Sequence, residues 1–218
     1  MLNNIQIIHK KIKHINLKVK PNLEVILSVP LGTTQTTIKK VVSERTHWIQ
    51  EKLEFFKQNI TPTKELVSGE LISYLGRNYR LKIHKGNTEL VELCTNGYLN
   101  VTLKDTNNLK KKHNLIDKWY KEKAIHHFSQ IMEKYTRILN KSVNKVTIRK
   151  MKTRWGSCNP QKSYINLNLE LIKKDILSIE YVILHELAHL THYNHDKKFY
   201  GYIATYMPDW KIRKKMLA

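Results

Sequence analysis

Tyr181-Val-Ile-Leu-His185-Glu186-Leu-Ala-His189-Leu190 is the stretch on which the reading of this chain turns. Its apolar residues run as those of a buried helix. Side chains four residues apart on a helix share one face, so His185 and His189 can each offer an imidazole nitrogen to a single ion. Glu186 stands about 100° around from His185, at the edge of that face, where it can reach a metal-bound water without being a ligand.

A third ligand is required, because catalytic zinc keeps three protein ligands and leaves one position open. His195 lies ten residues beyond His185. In a continuous helix that is roughly 15 Å along the axis, too far for one ion, so the helix has to stop. Tyr193-Asn194 is the expected stop, Asn being tolerated in the left-handed conformation that ends helices. His192 competes with His195, but three residues after His189 it ligates only if the helix is locally distorted. The plainer alternative is a core helix whose histidines satisfy internal hydrogen bonds. Against it stand three histidines and a glutamate in ligand spacing, flanked by apolar residues among which unpaired polar groups are costly to bury.

Upstream, Thr153-Arg-Trp-Gly-Ser-Cys158 followed by Tyr164-Ile-Asn-Leu-Asn168 reads as a strand, a tight glycine turn and a second strand beside the metal helix. An exposed strand there can pair with an extended peptide. Arg154, Trp155 and Asn166 are the substrate-binding candidates. The alternative is that Trp155 and Cys158 pack the core and Arg154 forms an ion pair. Cys158 is the weaker candidate as a ligand, since three histidines already fill the protein's share.

Working outward, the pattern predicts an α+β chain of two lobes. Ile12–Val19 and Leu23–Val29 form a hairpin around Lys20-Pro21-Asn22, and a helix from about Ile38 to Gln58, with Phe56 on its apolar face, follows the threonines at 33–37. After a break at Pro62 come strands near 71–75, 79–83, 89–94 and 98–103, with Asn96-Gly97 the most diagnostic turn. The lobe boundary is expected near residue 107: residues 1–107 as a β-rich lobe with one helix, residues 108–218 as the catalytic domain. A long helix over 109–139 buries Leu115, Trp119, Ile125, Phe128, Ile131, Met132, Tyr135 and Leu139. Strands at 145–151 and 163–167, helices at 176–190 and 197–206, and a basic tail after Pro208 complete the chain.

The 218 residues carry 39 Lys+Arg against 18 Asp+Glu, a net charge of +21, with the larger share beyond residue 100. That field draws polyanions, so nucleotides and nucleic acids join peptides as expected partners. The bland reading is a lysine-rich solvated surface. No apolar stretch approaches the roughly 20 residues that span a bilayer. Residues 1–10 carry no secretion signal, and the two cysteines, Cys94 and Cys158, form no disulfide framework, so the expected compartment is cytoplasmic.

The segments Met151-Lys-Thr-Arg-Trp-Gly-Ser-Cys158, Ile165-Asn-Leu-Asn168, Tyr181 to Leu190, Asn194-His-Asp-Lys-Lys-Phe199 and Met207-Pro-Asp-Trp210 together resemble the YgjP-like metallopeptidase family, most specifically over residues 145–218. Trp48-Ile-x-x-Lys52 in the first lobe resembles that family's N-terminal part more weakly. The order of pieces is also similar to the wider zincin group, which includes the SprT-like and WLM proteases. The resemblance implies a zincin-like core, His185, His189 and His195 as ligands, one Zn2+ per chain, and a hydrolase that cleaves peptide bonds with Glu186 as general base. Tyr200 stands where Trp is more usual, and Asp196 where Ser is common.

Two other functions compete. The basic run Arg149, Lys150, Lys152 and Arg154 suits a metal-dependent nucleoside triphosphate pyrophosphohydrolase, though no glycine-rich phosphate loop is present. A basic nucleic-acid-binding protein with a structural metal is the other, though structural zinc usually takes four protein ligands.

Overall fold

A computed structural model of the chain describes residues 5–20, 22–58 and 65–217. The fold is α+β, as the pattern predicts, and divides into two compact units, Met1–Lys64 and Glu65–Ala218. No helix among the described residues is long and apolar enough to cross a membrane.

In the first unit β1 (Ile5–Lys10), β2 (Asn16–Val19) and β3 (Val25–Pro30) form a sheet in the order β1-β3-β2. The expected hairpin is the antiparallel β2–β3 pair, while β1, which has no counterpart in the sequence reading, runs parallel to β3. Pro21 of the hairpin turn lies outside the described residues. Alternate residues of β3, Val25, Leu27 and Val29, are buried and pack with Ile38 and Ile49 from α1 (Gln35–Glu44) and α2 (Thr46–Gln58). One helix was expected where these two stand. The chain leaves helical geometry at Arg45, at φ −104° and ψ 5°, and the Thr46 hydroxyl donates to the Val42 carbonyl at 2.9 Å, closing the first helix before the second begins. The threonine run does supply the cap: Thr34 Oγ1 accepts from the Thr37 amide. The Phe56 side chain and Pro62 lie outside the described residues.

The second unit opens with β4 (Leu71–Tyr74), β5 (Arg77–Lys85), β6 (Leu90–Leu93) and β7 (Tyr98–Leu103), ordered β4-β5-β7-β6 with β5 parallel to β7. These strands do not belong to the first lobe. Their apolar face, with Ile72, Tyr74, Leu81, Leu99 and Val101, shares one core with the 31-residue helix α3 (Leu109–Leu139). Tyr74 packs on Trp119 with ring centroids 4.9 Å apart, and the Tyr120 hydroxyl donates to the Ser73 carbonyl at 2.6 Å. The division therefore falls between Lys64 and Glu65 and not near residue 107. What changes at Asn107-Asn108 is the secondary structure: Asn108 Oδ1 accepts from the Lys111 amide and starts α3 within the same unit. The stripe on α3 is largely as expected, except that Ile125 is 49% exposed and Ala124 is buried in its place.

Beyond α3 a second sheet, β8-β10-β9, is built from β8 (Lys145–Arg149), β9 (Gly156–Asn159) and β10 (Tyr164–Asn168), with β9 antiparallel to β10 at one edge. A 3₁₀ turn (Leu169–Lys173) leads into α4 (Ile176–Ala188), α5 (Lys197–Tyr206) and α6 (Trp210–Lys215). The basic tail is thus helical. Arg213 on α6 bonds Asp209 and Glu180, and Lys134 on α3 bonds the same Glu180, so one carboxylate ties three helices. Burial alone would raise the Glu180 carboxyl, but the hydrogen bonds from Lys134 and Arg213 bring it below its usual value.

The start of α4 is fixed from two sides. Asp175 caps it, accepting from the Ser178 amide at 2.8 Å, and the Leu75-Gly76 turn of β4–β5 docks against it through Leu75 and Gly76 amides donating to Ile172 and Lys173 carbonyls. A Cβ on Gly76, which sits at φ +76°, would come within 2.8 Å of Asp175 Cβ, so glycine is required there for the approach as well as for the turn.

Candidate active site

Helix α4 is apolar on most of its circumference, and its buried run Ile179, Val182, Ile183, Leu184 and Leu187 holds it against α3 and the sheet. The remaining face carries Tyr181, His185 and His189 at helical spacing. The helix ends earlier than expected. His189 is its C-terminal cap, and the Leu190 and Thr191 amides bond the Leu187 and Ala188 carbonyls in tighter 3₁₀ fashion. Asn194 is not left-handed. Asp196 then caps α5 by accepting from the Phe199 amide, and His195 stands immediately before it.

This turn brings His195 back to the helix. His195 Nε2 and His185 Nε2 face each other at 2.9 Å, and ring centroids of His195 lie 4.8 Å from His185 and 4.7 Å from His189. The three residues each present one donor atom within 4.8 Å of the others. Phe199, fully buried, lies under the cluster with its ring 4.7–4.9 Å from all three imidazoles. His192 is not part of it: its ring packs on Tyr202, and its carbonyl meets His189 Nδ1 at 3.1 Å. That bond places the Nδ1 proton toward the carbonyl and turns the Nε2 lone pair of His189 toward the cluster.

These groups suit a metal ion. Burial pushes the His185 imidazole down to about 3, with further lowering from His189, His195 and Lys214, and burial likewise lowers His189. Burial thus favours the neutral form of both, the state in which imidazole ligates. His185 Nδ1 is buried without a hydrogen-bond partner, which leaves Nε2, the atom facing His195, as that side chain's polar engagement.

Glu186 projects beside the cluster, 5% exposed, and burial raises its carboxyl to about 8 against the opposing pull of Arg154. Its neighbour is Gly156, the first residue of β9. A Cβ built there would lie 2.5 Å from Glu186 Oε1, 2.7 Å from Cγ and 2.8 Å from Cδ. The absent side chain is the space the carboxylate occupies. The sequence marked Gly156 only as a turn; its packing role needs α4 brought against β9.

Histidines and glutamate open into a cavity of about 540 Å³ whose other walls include Arg154, Trp155, Ser157, Tyr181, Lys214 and Leu217. Of the expected substrate-binding residues, Arg154 and Trp155 line it. Asn166 does not; its amide donates to Ser157 Oγ at 3.1 Å. Cys158 is also outside the lining, and its thiol is pushed up to about 11, by burial first and then by Glu186. Tyr193, 69% exposed, lies away beside Cys158 and Pro160.

Asn168 is the residue whose role sequence reasoning missed. Buried at the end of β10, it accepts from the Met151 amide and donates to the Met151 and Arg154 carbonyls at 2.9 and 3.0 Å, while its own amide bonds the Trp155 carbonyl at 2.8 Å. It therefore holds the 151–155 loop from which Arg154 and Trp155 enter the cavity. Asn168→Ala leaves several of these groups unpaired. The expected loss is about 2–4 kcal/mol of stability, read by chemical denaturation.

Comparison with known proteins gives the family. Residues 13–218 match the YgjP-like metallopeptidase domain. Among solved structures, the metallopeptidase zymogen jannalysin of Methanocaldococcus jannaschii is similar at 25% identity and a TM-score of 0.37, covering 41% of this chain and 86% of its own. The metallopeptidase zymogen abylysin of Pyrococcus abyssi has 21% identity and a TM-score of 0.38, covering 41% of this chain and 90% of its own. No curated protein matches. With nearly its whole length matched to that domain, the chain belongs to the YgjP-like metallopeptidase family.

Proposed function

We propose that this protein is a zinc-dependent metallopeptidase in which His185, His189 and His195 hold the metal and Glu186 is the general base. The observation that carries the reading is the convergence of three imidazoles beside one buried carboxyl at the wall of an open cavity. Zinc held there would polarise the scissile carbonyl and acidify a bound water. Glu186 takes the proton of the attacking water and delivers it to the leaving nitrogen, a transfer its enclosed position favours because the carboxyl has few competing partners. Phe199 and the His189–His192 bond keep the imidazoles oriented. The edge strand β9 runs alongside and is the candidate for pairing with the substrate backbone, which would lay a peptide across the cavity.

The nucleotide reading finds less support. Of Arg149, Lys150, Lys152 and Arg154, only Arg154 lines the cavity, and Lys150 pairs with Asp117 at 2.6 Å. A purely structural metal is a poor fit to three histidines with an acid beside them. Two free thiols suit the cytoplasmic compartment.

The test is metal content by mass spectrometry together with peptide cleavage. About one zinc per chain is expected, lost in His185→Ala/His189→Ala, with cleavage of unfolded protein substrates stopped by a chelator and restored by zinc. A zinc-loaded protein that cuts no peptide would overturn the peptidase assignment.

A further inference from the structure

The charged side chains lining the cavity, among the described residues, are Arg154, Lys214 and Glu186. Glu186 is enclosed against Gly156 and committed to the reaction. The two cations come from different elements. Arg154 extends from the loop that Asn168 clamps by its carbonyl, so its base is fixed. Lys214 comes from α6, where its ammonium lies 5.3 Å from the Tyr200 ring centroid and 6.0 Å from that of Trp210. Those rings are stacked at 4.7 Å and 15°, and Trp210 is near-parallel to Tyr181 in the cavity wall, 6.4 Å away. An aromatic shelf thus supports Lys214 and narrows its range.

The acids near α6 are engaged elsewhere. Asp209 and Glu180 both bond Arg213, the residue beside Lys214, and Glu180 also bonds Lys134. Among the described residues, neither Lys214 nor Arg154 lies within ion-pair distance of a carboxylate, and Arg154 acts on Glu186 only through its field. With Glu186 turned against Gly156, Arg154 and Lys214 are the two cationic side chains that the cavity offers a ligand. A charge so placed gains a charge-assisted bond from an anionic ligand group and gains nothing from a neutral one, which is how charged sites discriminate.

We propose that Lys214 and Arg154 form a carboxylate subsite, so that the preferred substrates are peptides carrying an acidic group at the cavity, either an Asp or Glu side chain near the cleaved bond or a free C-terminal carboxylate. This rests on the peptidase reading above and adds its substrate class. Lys214 could not be singled out from the sequence, since it lies 25 residues beyond His189 in a run of basic residues.

The experiment measures binding separately from turnover. Zinc-loaded full-length Glu186→Gln is titrated, by fluorescence anisotropy, with three peptides of one sequence: a terminally capped form with Glu, the same capped form with Gln, and the Gln form with a free C-terminus. The Glu peptide, the free-acid peptide or both should bind about tenfold tighter than the capped Gln peptide, and the stronger of the two identifies the source of the carboxylate. Lys214→Ala/Arg154→Ala should bring all three to one affinity, while Lys214→Arg, which keeps the charge, should preserve the preference and controls for folding. Equal affinities in the parent protein, or a preference that survives the double substitution, would overturn the subsite. So would tighter binding of a nucleoside triphosphate than of either acidic peptide. Cleavage by the protein with Glu186 intact separates the two proposals. Cleavage of all three peptides at equal rates overturns the subsite and leaves the peptidase standing, whereas an acidic preference in binding with no cleavage supports the subsite and ends the peptidase reading.

Discussion

If Glu186 is the base, as proposed, Glu186→Gln is expected to lower kcat by about 10²–10⁴ and to leave the zinc content of the protein unchanged, because the amide fills the same space and cannot take a proton. The side chain is 5% exposed, so the substitution keeps the packing against Gly156 and removes only the ionisable group. Steady-state kinetics on a fluorogenic peptide, with metal analysis of the same preparation, is the measurement. The arrangement makes the loss specific to turnover, since His185, His189 and His195 contact one another and Phe199 without the help of Glu186. A variant that keeps its full rate would remove Glu186 from the mechanism and leave the histidine cluster without a catalytic acid or base at its side.

Gly156→Ala produces the second large effect. The new methyl falls 2.5–2.8 Å from three atoms of Glu186, distances that no carbon contact sustains, so the carboxyl must turn away. Displacement of a catalytic group by about 1 Å costs on the order of 10²-fold in rate. The expected result is a fall in kcat with KM and zinc content held. A loss of folding would instead appear as a lowered melting temperature, which distinguishes positioning from collapse. Pairing supplies a further check: with the shorter Glu186→Asp in place, adding Gly156→Ala should cost less than it does alone, because the crowded atoms have been withdrawn. Full additivity of the two would mean that Gly156 acts on something other than the carboxylate.

The site was legible to the extent that it is local. His185, Glu186 and His189 share one helix, and a period of 3.6 residues puts them together whatever surrounds that helix. His195 followed by a length argument alone: ten helical residues are too long, so a turn must intervene. The form of the turn was not legible, since the helix ends through 3₁₀ bonds at Leu190 and Thr191 and not through a left-handed Asn194. Both ends of such a helix depend on what packs against them. The same holds for Asn166 and Asn168, two alternating positions of one strand. Period two puts both on the same side of the sheet but does not say which of them meets the loop, and only the register of β10 against β9 and β8 assigns the clamp to Asn168.

The boundary between the units went astray for a related reason. A switch from alternating to helical periodicity at Asn107-Asn108 is visible in the sequence, yet such a switch marks an element, and whether two elements share a core depends on apolar surfaces meeting across space. Ile72, Tyr74 and Leu99 are buried with Trp119 and Tyr120 of α3, so the sheet and the helix form one unit. By itself, then, the sequence determined the α+β character, the long helix and the shared helical face of His185 and His189, consequences of spacing along a chain, and its motifs carried the resemblance to the metallopeptidase family to which the chain belongs. Tertiary structure alone decided that Gly156 makes room for Glu186, that Asn168 anchors the loop bearing Arg154, and that Lys214 of α6 reaches the wall of the cavity. These are contacts between residues far apart in sequence, and no local periodicity encodes them, because they arise only when separate elements bury their apolar faces against a common core.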